Sequence, residues 1–217
     1  MSVHDLITAY IEAHTSPQPK LLAELDRATN TRLVNGRMCS GHLQGRLLKM
    51  LVQMVRPRRV LELGTFSGYS ALCIAEGLEE GATLDTVEID DELEDFIRFW
   101  LGRSEHGHKI RLHIGDALHV VGTFEDNWFD MAFIDADKRT YPQTYEAVLP
   151  KIIPGGYILA DNTLWDGHVV EIGTHAAQTQ AILDFNALVS ADERVEQVMI
   201  PLRDGLTIIR KLPQVEQ

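Results

Sequence analysis

A doubly wound α/β fold is what this 217-residue sequence predicts: a mostly parallel, seven-stranded sheet ending in an antiparallel hairpin, preceded by helices. Three observations carry the expectation. From Arg59 onward, short apolar runs alternate with stretches of helical period, the pattern of successive βαβ units. The first five runs end in glycines, carboxylates or amides, the residues that a parallel sheet gathers beyond its strand ends. The last two runs are joined only by Pro201-Leu202-Arg203-Asp204-Gly205, too short for a crossover, so they must pair antiparallel.

The elements follow in order. Val3, Leu6, Ile7, Tyr10 and Ile11 recur at helical spacing, and no basic stretch or unbroken apolar run accompanies them, so this segment reads as an amphipathic helix rather than a secretory leader. Ser16-Pro17-Gln18-Pro19 breaks it from a second helix around Leu21–Ala28. A third runs from Gly41 to Val55, with Leu43, Leu47, Leu48, Leu51, Val52 and Val55 on one face and Ser40 as N-cap. The strands are expected at Val60–Leu63, Leu84–Ile89, Ile110–Ile114, Met131–Ile134, Tyr157–Ala160, Val195–Ile200 and Leu206–Lys211. The helices between them fall near Tyr69–Leu78, Asp91–Leu101, Tyr141–Leu149 and Thr174–Val189. Residues 1–57 thus form a helical segment and 58–217 the α/β core of one domain.

Composition narrows the function. A formal charge of −12 opposes a nucleic-acid partner, whose phosphates need a basic surface, and opposes anionic membranes. No apolar run approaches the roughly 18 residues of a membrane span, so a cytoplasmic protein is expected. Cys39 and Cys73 are far apart and outside any CxxC spacing, and read as reduced thiols.

The loop "VLELGTFSGYS" joins the first strand to a helix through Gly64 and Gly68. Phe66 stands where a dinucleotide fingerprint needs its second glycine, and no Gly-Lys-Ser/Thr follows, so both common phosphate cradles fail. Glu88 ends the second strand 20 residues after Gly68, where a carboxylate can accept both hydroxyls of a ribose. Alone, such a glutamate is no more than a solvated strand end. With the glycine loop it points to a nucleoside lacking a required diphosphate, and S-adenosylmethionine fits. Glu62 could balance its cationic charge, and Asp116-Ala117 would border the adenine.

Asp135 follows the fourth strand and Asp161-Asn162 the fifth. If the strands are neighbours, two carboxylates and an amide converge, all hard oxygen ligands suited to Mg²⁺, Mn²⁺ or Ca²⁺, with Mg²⁺ first. A divalent cation would offset the clustered charge, which otherwise has only a loop-capping role. Lys138, three residues on, could accept a proton if a neighbouring metal lowered its pKa; its plain alternative is an exposed lysine opening a helix. Asp137 either supports the site or holds the turn.

Together "VLELGTFSGYSAL", "FIDADKRTY", "GGYILADNTLWDGHV", "DGLTIIRK" and "MCSGHLQGRLL" resemble the cation-dependent class I O-methyltransferases, in particular the caffeoyl-CoA and catechol O-methyltransferase group. The resemblance implies a Rossmann-like core, metal ligands at Asp135, Asp161 and Asn162, and Lys138 as candidate base, with Asp135 also catalytic. For S-adenosylmethionine it implies Met38, Glu62, Gly64, Thr65, Ser70, Glu88, Asp116, Ala117 and Asp135. It also implies a homodimer whose N-terminal helices help close the site.

The chemistry expected is methyl transfer to one hydroxyl of a vicinal diphenol, a small phenolic substrate. A hydroxycinnamoyl-CoA ester is the alternative, for which Arg27, Arg32 and Arg37 supply few basic residues. A metal-binding or phosphate-accepting signalling domain would leave Glu88 and the glycine loop unused, and a nicotinamide-dependent reductase is weakened by Phe66. His106 and His108 read as solvated, His113 as a satisfied core or face residue, and Asp90-Asp91-Glu92 as a helix start. Trp165 either stacks on an aromatic substrate or plugs its loop.

Overall fold

The computed structural model describes residues 3–213; positions 1–2 and 214–217 of the expected domain lie outside the described residues. In chain order the elements are α1 (Val3–Ala13), α2 (Lys20–Arg32), α3 (Gly41–Val55), β1 (Arg59–Leu63), α4 (Tyr69–Gly77), β2 (Thr83–Glu88), α5 (Glu94–Arg103), β3 (Ile110–Ile114), α6 (Ala117–Gly122), β4 (Phe129–Ile134), α7 (Tyr141–Val148), β5 (Ile152–Asp161), α8 (Ala177–Ala191), β6 (Val195–Ile200) and β7 (Leu206–Lys211).

The sheet order is β3-β2-β1-β4-β5-β7-β6. β1 to β5 pair in parallel, while β7 lies antiparallel to both β5 and β6, so β7 alone is reversed. The order turns back between β1 and β4, the place where a doubly wound sheet opens a crevice at its strand ends. Each central strand is buried on both faces because helices cover both: β1 buries Val60, Leu61, Glu62 and Leu63. One cluster joins Leu61, Ile134, Tyr141, Tyr145 and Phe185 under α7 and α8. On the other face Leu48 and Val52 of α3 and Ile74 of α4 pack on Val60, Met131 and Phe133. α2 adds Leu22, Leu25 and Ala28 against Tyr69, Leu72 and Ile97, which fastens the helical segment to the sheet's first helices.

Several local details differ from the expectation. α6 was not foreseen; six residues with a terminal glycine give too short a period to see. β5 begins at Ile152, because Gly155, at φ +84°, lets Pro154-Gly155-Gly156 pass as a bulge where the β4–β5 register shifts. Ser40 does not cap α3: its backbone is already right-handed helical, and its side chain makes no cap bond. The α3 stripe is only partly core, since Gln44, Gly45 and Arg46 are buried beside Leu48 and Val52. The apolar stripe of α1 is exposed, with Val3, Leu6, Ile7, Tyr10 and Ile11 all open to solvent. Among the described residues no helix is long and apolar enough to cross a membrane.

Candidate active site

The predicted site residues stand at the C-terminal ends of β1 to β5, apart from Met38, ahead of α3, and Ser70, in α4. The β1–α4 loop is built around Gly64. Its φ of +98° is left-handed, and a Cβ there would meet the Asp135 carbonyl oxygen at 2.2 Å. Only glycine allows β1 and β4 to end so close together. Thr65 Oγ1 and Thr86 Oγ1 are 2.6 Å apart, and Thr86 donates to Glu62 Oε2 at 2.5 Å.

Glu62 is fully buried, and its Oε1 has no hydrogen-bond partner among the described residues. Burial pushes its carboxyl up to about 8 against the lowering pull of the Ser70 and Thr86 hydroxyls. A buried carboxylate oxygen with nothing to bond fits an incoming ammonium group. Glu88 Oε2 accepts from the Phe66 N–H at 2.6 Å, and Oε1 from the Asp90 N–H at 3.0 Å, so its carboxylate is held at the end of β2. Asp116 caps α6 by accepting from the His119 N–H at 3.0 Å, and Ala117 opens that helix. A narrow cleft takes in Met38, Gly64, Thr65, Ser70 and Asp135. A wider groove between α5 and β3 contains none of the predicted residues.

β4 and β5 are adjacent, and Ile134 pairs with Ala160, so Asp135 and Asp161 lie side by side one step further on. Burial raises the Asp161 carboxyl to about 6, with the Asp135 charge adding to the shift. Asp161 Oδ2 accepts from Gln44 Nε2 at 2.6 Å, and Oδ1 from the Asn162 N–H at 2.9 Å. Asn162, at φ +56° in the left-handed region, follows directly on Asp161. Lys138 Nζ donates to Asp135 Oδ1 at 2.6 Å and to the Tyr141 hydroxyl at 3.0 Å. That hydroxyl lies 2.9 Å from the Asp161 carbonyl, to which it donates. Burial draws the Lys138 pKa down, but the Asp135 carboxylate outweighs it and holds the ammonium well above the usual lysine range.

The donor set therefore consists of two neighbouring carboxylates and one amide, all oxygen ligands. It fits a hard divalent cation in kind. Among the described residues no group of three or more His, Cys, Asp or Glu is placed to hold a metal ion.

Other residues fall as follows. Cys39 and Cys73 are buried and free. His113 Nε2 meets Asp85 Oδ1 at 2.8 Å, Asp90 caps a short turn at Glu92, and His108 is exposed. Trp165 packs against the core under α7 and α8, as a plug would. Sequence reasoning gave no role to Gln44, Tyr141, Arg203 or Asp204. Gln44, Tyr141 and Asp204 lie within quoted motifs, and Arg203 reads as an ordinary turn residue.

The family model described as O-methyltransferase matches residues 12–212. Caffeoyl-CoA O-methyltransferase 2 of Zea mays is 32% identical over 96% of this chain and 83% of its own length. Tapetum-specific methyltransferase 1 of Arabidopsis thaliana is 33% identical over 94% of this chain and 90% of its own. Among solved structures, the S-adenosylhomocysteine (SAH)-bound methyltransferase PaMTH1 of Podospora anserina superposes with a TM-score of 0.88 at 28% identity, covering 97% of this chain and 95% of that one. The O-methyltransferase of Bacillus cereus in complex with SAH gives 0.83 at 27% identity, covering 95% and 97%. A glycine loop without a phosphate cradle, a held carboxylate after β2 and a match along nearly the whole chain agree: this protein belongs to the O-methyltransferase family, as an S-adenosylmethionine-dependent O-methyltransferase.

Proposed function

We propose that the protein methylates one hydroxyl of a vicinal diphenol, with a divalent cation held by Asp135, Asp161 and Asn162. The observation that supports this reading is the adjacency of β4 and β5, which leaves Asp135 and Asp161 side by side at the strand ends, with Asn162 next after Asp161. S-adenosylmethionine, when bound, supplies the methyl group as an electrophile. A divalent cation, when bound, would favour the phenolate form of a hydroxyl that otherwise titrates near pH ~10.

The chain's own residues do the rest. Glu62 offers Oε1 to the ammonium of the donor's amino-acid tail, and Glu88 is aimed where ribose hydroxyls would lie. Thr65 and Gly64 bring backbone to the donor, with Met38 and Ser70 on the walls of the same cleft. Asp116 and Ala117 border the adenine side. Lys138 receives the phenolic proton at Nζ. Facing Asp135 it holds an ammonium proton, which has to pass to solvent before Nζ can take the phenolic one. Tyr141 holds Nζ toward Asp135 from the buried side. Holding nucleophile and methyl donor at attack distance can contribute on the order of 7–11 kcal/mol.

Family membership sets aside the signalling-domain and nicotinamide readings. The names of the plant relatives favour a second reading within the same chemistry, a hydroxycinnamoyl-CoA ester carrying the diphenol. Exposed Arg27, Arg32 and Arg37 on α2 and the turn after it are the basic groups available to a coenzyme A tail. The test is methyl transfer across a panel of free catechols, their singly methylated counterparts and the coenzyme A thioester. Turnover is expected only where two adjacent hydroxyls are present. Equal turnover of a lone phenol would refute the diphenol reading.

A further inference from the structure

The turn between β6 and β7 lies against Asp161, the last residue of β5, and Asn162 after it, both assigned to the cation. The β5–β7 register pairs Asp161 with Leu206, so Arg203 and Asp204 come to the sheet's mouth at that level. Backbone fastens the turn there: the Thr163 N–H donates to the Gly205 carbonyl at 3.2 Å, and the Leu164 N–H to the Asp204 carbonyl at 2.8 Å. Gly205 has φ +90°, and a Cβ on it would lie 2.6 Å from the Leu164 nitrogen, so this contact needs glycine.

Two side-chain links leave the turn. The Arg203 guanidinium donates to Gln44 Oε1 at 3.0 Å, and Gln44 Nε2 donates to Asp161 Oδ2 at 2.6 Å. The same guanidinium donates to the carbonyls of Ser40 and Cys39, which line the narrow cleft. Asp204 Oδ2 accepts from Asn162 Nδ2 at 3.2 Å, and its Oδ1 accepts from the Asp166 N–H.

Each link decides an orientation that a hard cation requires. A side-chain amide has a donor end and an acceptor end of nearly equal size, and only the oxygen serves such a cation. A carboxylate accepts and does not donate, so Asp204 selects the Nδ2 end of Asn162 and turns Oδ1 the other way. A guanidinium only donates, so Arg203 selects the oxygen of Gln44 and leaves the amide nitrogen facing Asp161. That gives the buried Asp161 carboxylate a donor and fixes its plane.

Resting on the cation reading above, we propose that Arg203 and Asp204 are positioning residues, which set the Asp161 and Asn162 side chains as oxygen ligands from the terminal hairpin. One link reaches the site through Gln44 of α3 and the other directly. Arg203 also couples the cation ligands to the loop at residues 38–40.

The test is Mn²⁺ binding to the full chain without donor or substrate, followed by electron paramagnetic resonance of the free ion, with metal-free melting curves for each variant. The proteins are wild type, Asp204→Asn, Arg203→Met, Arg203→Lys and Asp161→Ala. Asp204→Asn keeps the shape but can meet either end of the Asn162 amide. The expected result is a rise in Mn²⁺ Kd of about tenfold for Asp204→Asn and Arg203→Met, with Arg203→Lys recovering part of the loss. A Kd within twofold of wild type in both, while Asp161→Ala abolishes binding, would overturn the proposal and leave the cation reading standing. No Mn²⁺ binding by wild type would overturn both. Should Arg203→Met fail to melt cooperatively, the isosteric Asp204→Asn decides alone.

Discussion

Replacing Glu62 with Gln separates the charge of this buried group from its shape. The carboxyl is fully buried and titrates at about 8, raised from an ordinary 4.5 chiefly by burial. Its folded pKa lies above the unfolded one, so the folded chain keeps a proton that the unfolded chain releases in between. Stability from this group is therefore fully present below pH ~4.5 and falls as pH rises toward 8, by about 1.4 kcal/mol per pH unit. At pH 7 the accumulated cost is about 3 kcal/mol, or roughly 6–12 °C in Tm for a chain of this size. Gln cannot ionise, so its curve loses that slope. An orphaned amide adds a pH-independent offset, which is why the slope is the diagnostic quantity. The assay is thermal melting of the unliganded wild type and Glu62→Gln at pH 5, 6, 7 and 8. The expected gap between them shifts in favour of the variant with each pH unit, while SAH affinity falls about tenfold because an amide cannot give up a proton to become the carboxylate that pairs with the ligand's ammonium. Parallel melting curves across the range would refute the argument that burial holds this proton.

Gly64→Ala combines a left-handed backbone with a Cβ placed 2.2 Å from the Asp135 carbonyl, so a destabilisation of about 2–4 kcal/mol is expected in chemical denaturation, together with weaker SAH binding. Unchanged denaturation would mean that β1 and β4 do not close in this way. Asp192, bonded to the Tyr145 hydroxyl at 2.7 Å and to Arg194, has a carboxyl held down to about 2, mainly by Arg194. Its contribution is present above the ordinary 3.8 and lost as pH falls through about 2. With Arg194 half exposed, Asp192→Asn should cost only about 1 kcal/mol at neutral pH, a difference that fades in acid unfolding curves.

The sequence made the strand ends legible because each carries polar residues immediately after an apolar run, a local contrast that needs no knowledge of packing. The terminal hairpin was legible from linker length alone, yet not its place: β7 inserts between β5 and β6, a choice made by the pairing of Leu159 with Ile208 and Asp161 with Leu206. That insertion brings Arg203 and Asp204 toward Asp161 and Asn162 from about forty positions away, which no local pattern encodes. Gln44 was hidden for a similar reason. Its burial beside Asp161 interrupts an otherwise apolar helix face, and a single polar residue in such a stripe reads as solvent-facing until the partner is known. Lys138 reads as a candidate base from the sequence, but its contact with the Asp135 carboxylate at 2.6 Å, which holds its proton, arises only once the turn after β4 is folded.

The central claim is that Asp135, Asp161 and Asn162 serve a hard dication during methyl transfer. The most direct measurement is the initial rate of catechol methylation at saturating S-adenosylmethionine, before and after chelation, and again after Mg²⁺ is restored. The account predicts loss of turnover on chelation, recovery with Mg²⁺, and no recovery in Asp161→Ala. Full turnover in the presence of chelator would contradict it.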